Sequence, residues 1–458
     1  MRKRVNMDMA RGWVKRRNGE QMESESMNDN SREKLGLKEL VAIGIGSMIG
    51  GGIFSVMGLA EGIAGHATVL VFVVGGIIAM FAGYNYARLA LRYREDGASY
   101  TYLRHAFPRK RWMASFVGWS VIVGYIGTLA LYAYTFGSYG AAMLGWADNE
   151  TARTILAFAI LTFFLRINLN GVRDAGVSED LIVFFKVAIM LTLGVVGLFH
   201  IKPAHFEPFF DKGISPVFLS AALVFVAFEG FQLITNAVVE TENPERNTPF
   251  SIYLSILIVT LIYILLAVSV MGILTETRIQ EAREYAIAEA LQPIFGTGGF
   301  ALASVAALLA TGSAINGTLF GASRMLADIA KDGILPVVLA RRNRKMIPYY
   351  SLLLMFVLSS LFVLFGKLES IVAFSSMTFL LVSMAVGVAN FILRKETGAY
   401  PAVVIASLGL MGITICLMLY YLWYHQQMIL KDIVMIYLLI SVLFAIFRLT
   451  HKERNHPV

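Results

Sequence analysis

Hydrophobic residues run along this chain in long stretches separated by short polar connections. Twelve runs are long enough to cross a hydrocarbon core of about 30 Å. They centre on residues 38–62, 67–90, 114–143, 152–169, 178–200 and 215–238, then on 250–274, 298–329, 349–366, 370–393, 401–424 and 431–448. The pattern predicts an all-α membrane protein with 12 transmembrane helices. Residues 1–37 and 449–458 are polar and read as tails. Segment 276–292, which holds Glu281, Arg283, Glu284 and Glu289, reads as a short amphipathic helix on the outer face. It is a candidate external gate as well as a plain surface helix.

Composition agrees. Of 458 residues 57% are hydrophobic and 15% charged, against about 45–50% and about 25% in an ordinary soluble domain. Charge is too scarce for disorder, and Cys416, the single cysteine, excludes an internal disulfide framework. Net charge is +8, and its distribution says more than its sum. Lys and Arg concentrate in the N-terminal tail and the even-numbered connections, which orients both termini to the cytoplasm. The basic runs Arg2-Lys3-Arg4 and Lys15-Arg16-Arg17 are followed by no apolar h-region, so no cleavable signal peptide is expected. Met27 is an alternative start site.

Two of the runs are interrupted. The first contains Gly44-Ile45-Gly46-Ser47-Met48-Ile49-Gly50-Gly51-Gly52-Ile53-Phe54, with five glycines in nine residues. Each glycine costs a helix about 1 kcal/mol relative to alanine. A broken helix at membrane depth leaves backbone groups that lipid cannot satisfy, so breaks persist where they line a cavity or bind a ligand. A half-helix starting near Gly52 would aim its N–H groups and positive dipole end into the bundle, which suits a carboxylate. A glycine-rich packing face is the other reading. The sixth run is interrupted at Phe225-Val226-Ala227-Phe228-Glu229-Gly230-Phe231-Gln232. A bare acid inside an apolar run is a functional hypothesis by default, and structural glue between helices is the alternative. The two breaks fall in spans one and six, at matching places in two five-helix units. That pairing is the sequence pointer to the substrate site of a secondary transporter.

Lys186 lies in the apolar stretch Leu181–Met190 of the fifth run, the lone cation this topology leaves within the hydrocarbon. Snorkelling is strained so far from either end. Desolvation disfavours its charged form, so it is a candidate for carrying a proton in one conformation and releasing it in another. It is equally a candidate for filling a site that another transporter gives to Na⁺. Thr311, Ser313 and Asn316 in the eighth run are potential partners.

These residues resemble a known family. Gly46–Phe54 is similar to the first-helix signature of the amino acid–polyamine–organocation (APC) permeases. Arg94–Leu103 agrees with it, as do Ile234-Thr235-Asn236 leading to Glu242–Pro249, and Ser313–Asn316 leading to Ala330–Pro336. Together they cover roughly residues 36–395. The look is closest to archaeal ApcT-type permeases, which are proton-coupled and sodium-independent. The resemblance implies a LeuT-type 5+5 inverted repeat at 38–200 and 215–393, followed by two peripheral helices at 400–448. It implies that the substrate carboxylate meets backbone N–H groups around Gly50, Gly51 and Gly52. The ammonium would meet carbonyls near Met48, Ile49, Val226 and Glu229. Lys186 matches the fifth-helix lysine of ApcT-type members, with Ser313 opposite. One departure stands out: many members carry an acid just after the Gly-Phe pair, and here that place is Gln232.

Other chemistry is set aside. The seven histidines lie at span ends, loops or the tail, with no paired spacing for a metal. No Walker-type loop encodes an ATP motor. Basic runs read as topology determinants and anionic-lipid contacts rather than nucleic-acid sites. The expectation is therefore a non-enzyme: a secondary active importer of amino acids in the cytoplasmic membrane. It needs no cofactor beyond a coupling proton and no obligatory protein partner. Exchange of an amino acid or polyamine is the alternative mode, and a nutrient sensor or channel the alternative class. Phe228, Phe231, Tyr125 and Tyr132 suggest an aromatic-lined pocket or ordinary packing, and Glu229 a preference for cationic side chains.

Overall fold

The computed structural model describes residues 34–95, 98–170 and 175–450. The tail expected up to residue 33, with its basic runs and Met27, lies outside the described residues. So do Asp96 and Gly97 and the tail from 451.

Every apolar run is helical. The chain order begins α1 (Leu37–Met48), α2 (Gly51–Ala64), α3 (Thr68–Arg92), α4 (Ala98–Ala106), α5 (Arg111–Met143), α6 (Glu150–Asn170) and α7 (Ala175–Leu198). It continues with α8 (Ser215–Leu223), two 3₁₀ stretches at Val224–Phe228 and Phe231–Glu240, and α9 (Pro244–Ile273). Then come α10 (Glu276–Ala282), α11 (Ala286–Glu289), α12 (Gln292–Lys331), α13 (Tyr349–Phe365), α14 (Leu368–Ile392), α15 (Arg394–Thr397), α16 (Pro401–His425) and α17 (Gln427–Thr450). No strand occurs among the described residues. One isolated parallel bridge joins Leu35 to Thr241. Among the described residues nine segments are long and apolar enough to cross a membrane, and Ile182–Leu198 and Tyr349–Phe365 are shorter apolar helices. The chain is a multi-pass membrane protein.

Burial sorts the helices into centre and rim. The most apolar window of Ser215–Glu240 is 83% buried, that of α6 22% and that of the last helix 17%. α6 and α17 turn large apolar side chains outward, among them Ile155, Phe163, Met435 and Leu438. That is the surface a lipid-facing helix presents. At the centre, α1, α2 and the 215–240 segment are enclosed by α3, α5, α9, α12 and α14. Small and hydroxyl side chains let these helices approach closely. Many buried Ser and Thr hydroxyls, such as Thr135 and Ser255, donate back to a carbonyl four residues earlier.

A buried polar chain ties α3 to the rim. Asn85 Nδ2 donates to Ser407 Oγ at 2.9 Å, Asn390 Nδ2 to Asn85 Oδ1 at 2.9 Å, and Thr397 Oγ1 to Asn390 Oδ1 at 2.9 Å. The amphipathic segment expected at 276–292 is α10, a 3₁₀ turn at Arg283–Tyr285, and α11. It folds over α2, close enough that a Cβ on Gly58 would collide with the Arg283 carbonyl oxygen.

Candidate functional site

Both sequence interruptions are breaks in the structure, and they face each other. α1 ends at Met48. Ile49 (φ −80°, ψ 75°) and Gly50 (φ −109°, ψ −144°) leave helical geometry, and α2 starts afresh at Gly51. The second break follows the 3₁₀ turn Val224–Phe228: Glu229 is extended (φ −67°, ψ 133°) and Gly230 adopts φ 135°, ψ −27°. Only glycine takes such a φ without strain. Glycine is needed at the contact as well. A Cβ on Gly230 would lie 2.6 Å from the Ser47 carbonyl carbon and 2.8 Å from Met48 N. One on Gly52 would lie 2.8 Å from Ala227 Cα. The two unwound segments therefore touch backbone to backbone.

Breaking two helices strands carbonyls, and the surrounding side chains answer them. Lys186, on α7, is fully buried, and its Nζ donates to Gly46 O at 2.7 Å and to Ile49 O at 2.6 Å. Tyr263 Oη, from α9, lies 3.0 Å from Met48 O and 2.8 Å from Ala227 O. Its single proton serves one carbonyl at a time, so it bridges both breaks. Ser376 Oγ, from α14, accepts from Val226 N at 3.0 Å and donates to Leu223 O at 2.5 Å. Gly230 N donates to Gln232 Oε1 at 3.0 Å, and Gln232 Nε2 donates to Glu229 Oε1. The Gln232 amide also reaches Tyr125 Oη at 3.4 Å.

The remaining site residues take distinct places. Met48, Ile49, Gly50, Gly51, Gly52, Val226, Phe228, Glu229 and Phe231 are all buried around the junction. Tyr132, on α5, covers it: a Cβ on either Gly50 or Gly51 would press on its side chain. Phe228 and Phe231 turn toward α3 and its neighbours. Phe228 meets Tyr263 edge-on at 5.3 Å between ring centres, and Phe231 meets Tyr86 at 5.6 Å. Ser313 is half-buried beside Ala314, whose methyl faces Gly50. Thr311 Oγ1 donates to Ala307 O at 2.7 Å, and Asn316 accepts from Asn168 at 2.9 Å.

On the side opposite Leu35 the 276–292 segment packs on α2 and α5. Arg283 sits on α2, Tyr134 Oη donates to Glu284 Oε1 at 3.4 Å, and the Arg153 guanidinium lies 4.4 Å from the Tyr134 ring centre.

Sequence reasoning missed one charge. The buried charged side chains among the described residues are Lys186, Glu229 and also Glu61. Glu61 lies one turn from the end of α2, where sequence alone reads it as interfacial.

The description amino acid permease belongs to the family whose profile matches residues 35–447, and this chain is a member of that family. It is a transporter family rather than an enzyme family. The chain is 30% identical to an uncharacterized protein, MJ0609, of Methanocaldococcus jannaschii, over 92% of this chain and 97% of that one. It is 28% identical to the inner membrane transport protein YbaT of Escherichia coli, over 94% and 99%. It is 24% identical to the branched-chain amino acid permease BcaP of Bacillus subtilis, over 81% and 83%.

Proposed function

We propose that the chain imports amino acids across the cytoplasmic membrane by alternating access, coupled to protons and independent of sodium. On this reading the twelve helical runs are twelve spans in a LeuT-type 5+5 arrangement with two peripheral helices, and both termini are cytoplasmic. The excess of Lys and Arg on that side supports the orientation. The substrate carboxylate lies on the first N–H groups of α2 at Gly50, Gly51 and Gly52, at the positive end of its dipole. The ammonium lies against carbonyls at Met48, Ile49, Val226 and Glu229, exposed by the two breaks. Branched-chain transport by the Bacillus subtilis relative favours an apolar side chain. Glu229 beside the junction favours a cationic one.

The observation that carries the coupling is the pair of hydrogen bonds from Lys186 Nζ to Gly46 and Ile49. A cation there satisfies carbonyls freed by the break, the task a bound metal ion would otherwise perform. Losing the proton weakens both bonds at the residues that form the substrate site, so the charge on Lys186 and the shape of the break are linked. Ser313 stands nearby on α12 as a second coupling residue.

Purified protein in sodium-free vesicles tests this. An imposed inward proton gradient should drive uphill uptake, and Lys186→Ala should abolish accumulation while sparing exchange. A strict sodium requirement, or unchanged accumulation in the variant, overturns the coupling. Uptake only into preloaded vesicles would make the protein an exchanger.

A further inference from the structure

A second polar cluster lies away from the junction, on the face opposite Leu35, where α2 ends beneath α10. We propose that it is a divalent-metal site of the zinc type, with His66, Asp211 and Glu276 as ligands. One candidate ligand atom from each of the three residues falls within 4.8 Å of the others. Tetrahedral zinc with bonds of about 2.0–2.1 Å sets ligands about 3.4 Å apart, so modest side-chain rotation closes the set.

The second shell is in place. His66 Nδ1 lies 3.0 Å from the Pro208 carbonyl oxygen. A carbonyl only accepts, so Nδ1 carries the proton and Nε2 keeps its lone pair for a metal. Asp211 Oδ1 accepts from the His66 backbone N–H at 3.0 Å, which fixes the carboxylate beside the ring. Lys212 Nζ and Gln280 Nε2 each lie 2.9 Å from Glu276 Oε1, leaving Oε2 for the ion.

An independent observation points to a missing ligand. Glu61 is fully buried, and neither of its carboxylate oxygens has a hydrogen-bond partner among the described residues. It lines a cavity of about 190 Å³ together with His66, His205 and Glu276. The buried Nδ1 of His205 also has no partner among the described residues. Buried polar groups are normally satisfied, and an orphaned carboxylate is the costliest exception. Asp211 and Glu276, with the buried Glu61 carboxyl behind them, face the one ammonium of Lys212, which itself donates to Glu61 O and Gly62 O at 3.3 and 3.2 Å. A divalent cation supplies the balancing charge. Imidazole beside carboxylates suits zinc, whereas calcium and magnesium take oxygen ligands.

The three ligands belong to three separate pieces: the 3₁₀ turn Gly65–Ala67 just after α2, the 199–214 connection and the α10 lid. Bound metal ties the half-helix of the first break to the segment that covers it. Slowed transport follows on the alternating-access reading above; metal binding itself does not depend on that reading.

The test is calorimetric titration of chelator-treated, full-length protein with zinc, calcium and magnesium ions in turn. The expected result is saturable zinc binding at one ion per chain, weakened about tenfold or more in His66→Ala and in Glu276→Gln, with no binding of calcium or magnesium. His200→Ala should bind as the wild type does. Unaltered melting of the metal-free variants shows that they are folded. Absence of saturable zinc binding, or equal binding by His66→Ala, overturns the site. In vesicles, zinc added on the lid side should slow uptake by the wild type and not by His66→Ala. Uptake indifferent to zinc, with binding intact, overturns the clamp alone. Binding without any uptake refutes the transporter reading and leaves the site standing.

Discussion

Replacing Gly230 by alanine should loosen the junction at the point where the two breaks meet. The substitution does two things at once. It forces an L side chain into φ 135°, a strain of about 1–3 kcal/mol. It also sets a methyl 2.6 Å from the Ser47 carbonyl carbon, and that neighbour is backbone, so it cannot rotate away. Reaching the 3.4 Å of ordinary contact requires a local separation of about 0.8 Å. Overpacking of this kind costs about 1–3 kcal/mol, for a total of about 2–6 kcal/mol. The displaced atoms belong to Ser47 and Met48, at the first break where the proposed substrate site lies, so affinity should fall along with stability. Thermal unfolding in detergent and equilibrium binding of a transported amino acid measure the two effects. Gly412→Ala on α16 is the control, since a Cβ there meets nothing within 4 Å. It should leave melting unchanged or raise it slightly. If Gly230→Ala melts and binds like Gly412→Ala, the backbone-to-backbone contact is not what holds the breaks together.

Three further outcomes can be checked with the same assays. Tyr263→Phe keeps the ring contacts to Phe72 and Phe228 at 5.8 and 5.3 Å but deprives a buried carbonyl of its donor. It should lower stability by about 1–3 kcal/mol and weaken substrate binding; unchanged melting would show that the hydroxyl is dispensable. Asn390→Ala breaks the chain from Asn85 to Thr397 and should cost about 0.6–1.7 kcal/mol without altering substrate affinity. A changed affinity would mean that this remote network bears on the site. Arg104 and Glu95 pair at 2.6 Å with side chains 40% and 43% exposed, so Glu95→Gln should shift stability by less than about 1 kcal/mol. A larger loss would mean that the pair is shielded from water.

What the sequence made legible follows from which signals are local. Glycine density placed the first break within a few residues, because Gly50, Gly51 and Gly52 each disfavour continuous helix. An acid beside a glycine placed the second at Glu229–Gly230. Lys186 stood out because a cation amid Leu181–Met190 has no surface to reach. The 3₁₀ character of Val224–Glu240 was invisible, since a thoroughly buried segment carries no hydrophobic period to distinguish 3.0 from 3.6 residues per turn. Glu61 was passed over because a carboxylate near a span end normally reaches water, and only the overlying lid and the 199–214 connection bury it. His66, Asp211 and Glu276 lie too far apart in the chain for spacing to reveal them.

The bridge between Leu35 and Thr241 has a kinematic consequence. Leu35 N donates to Glu240 O and Glu242 N to Leu35 O, both at 2.9 Å. Leu35 lies two residues before α1, and Glu240 closes the stretch that follows Gly230. Two backbone hydrogen bonds thus rivet together the ends of both interrupted helices on the face away from the lid. Neither can tilt there without dragging the other. Four half-helices at the heart of the molecule reduce, at that end, to a single lever, and any motion there must swing both arms on one pivot.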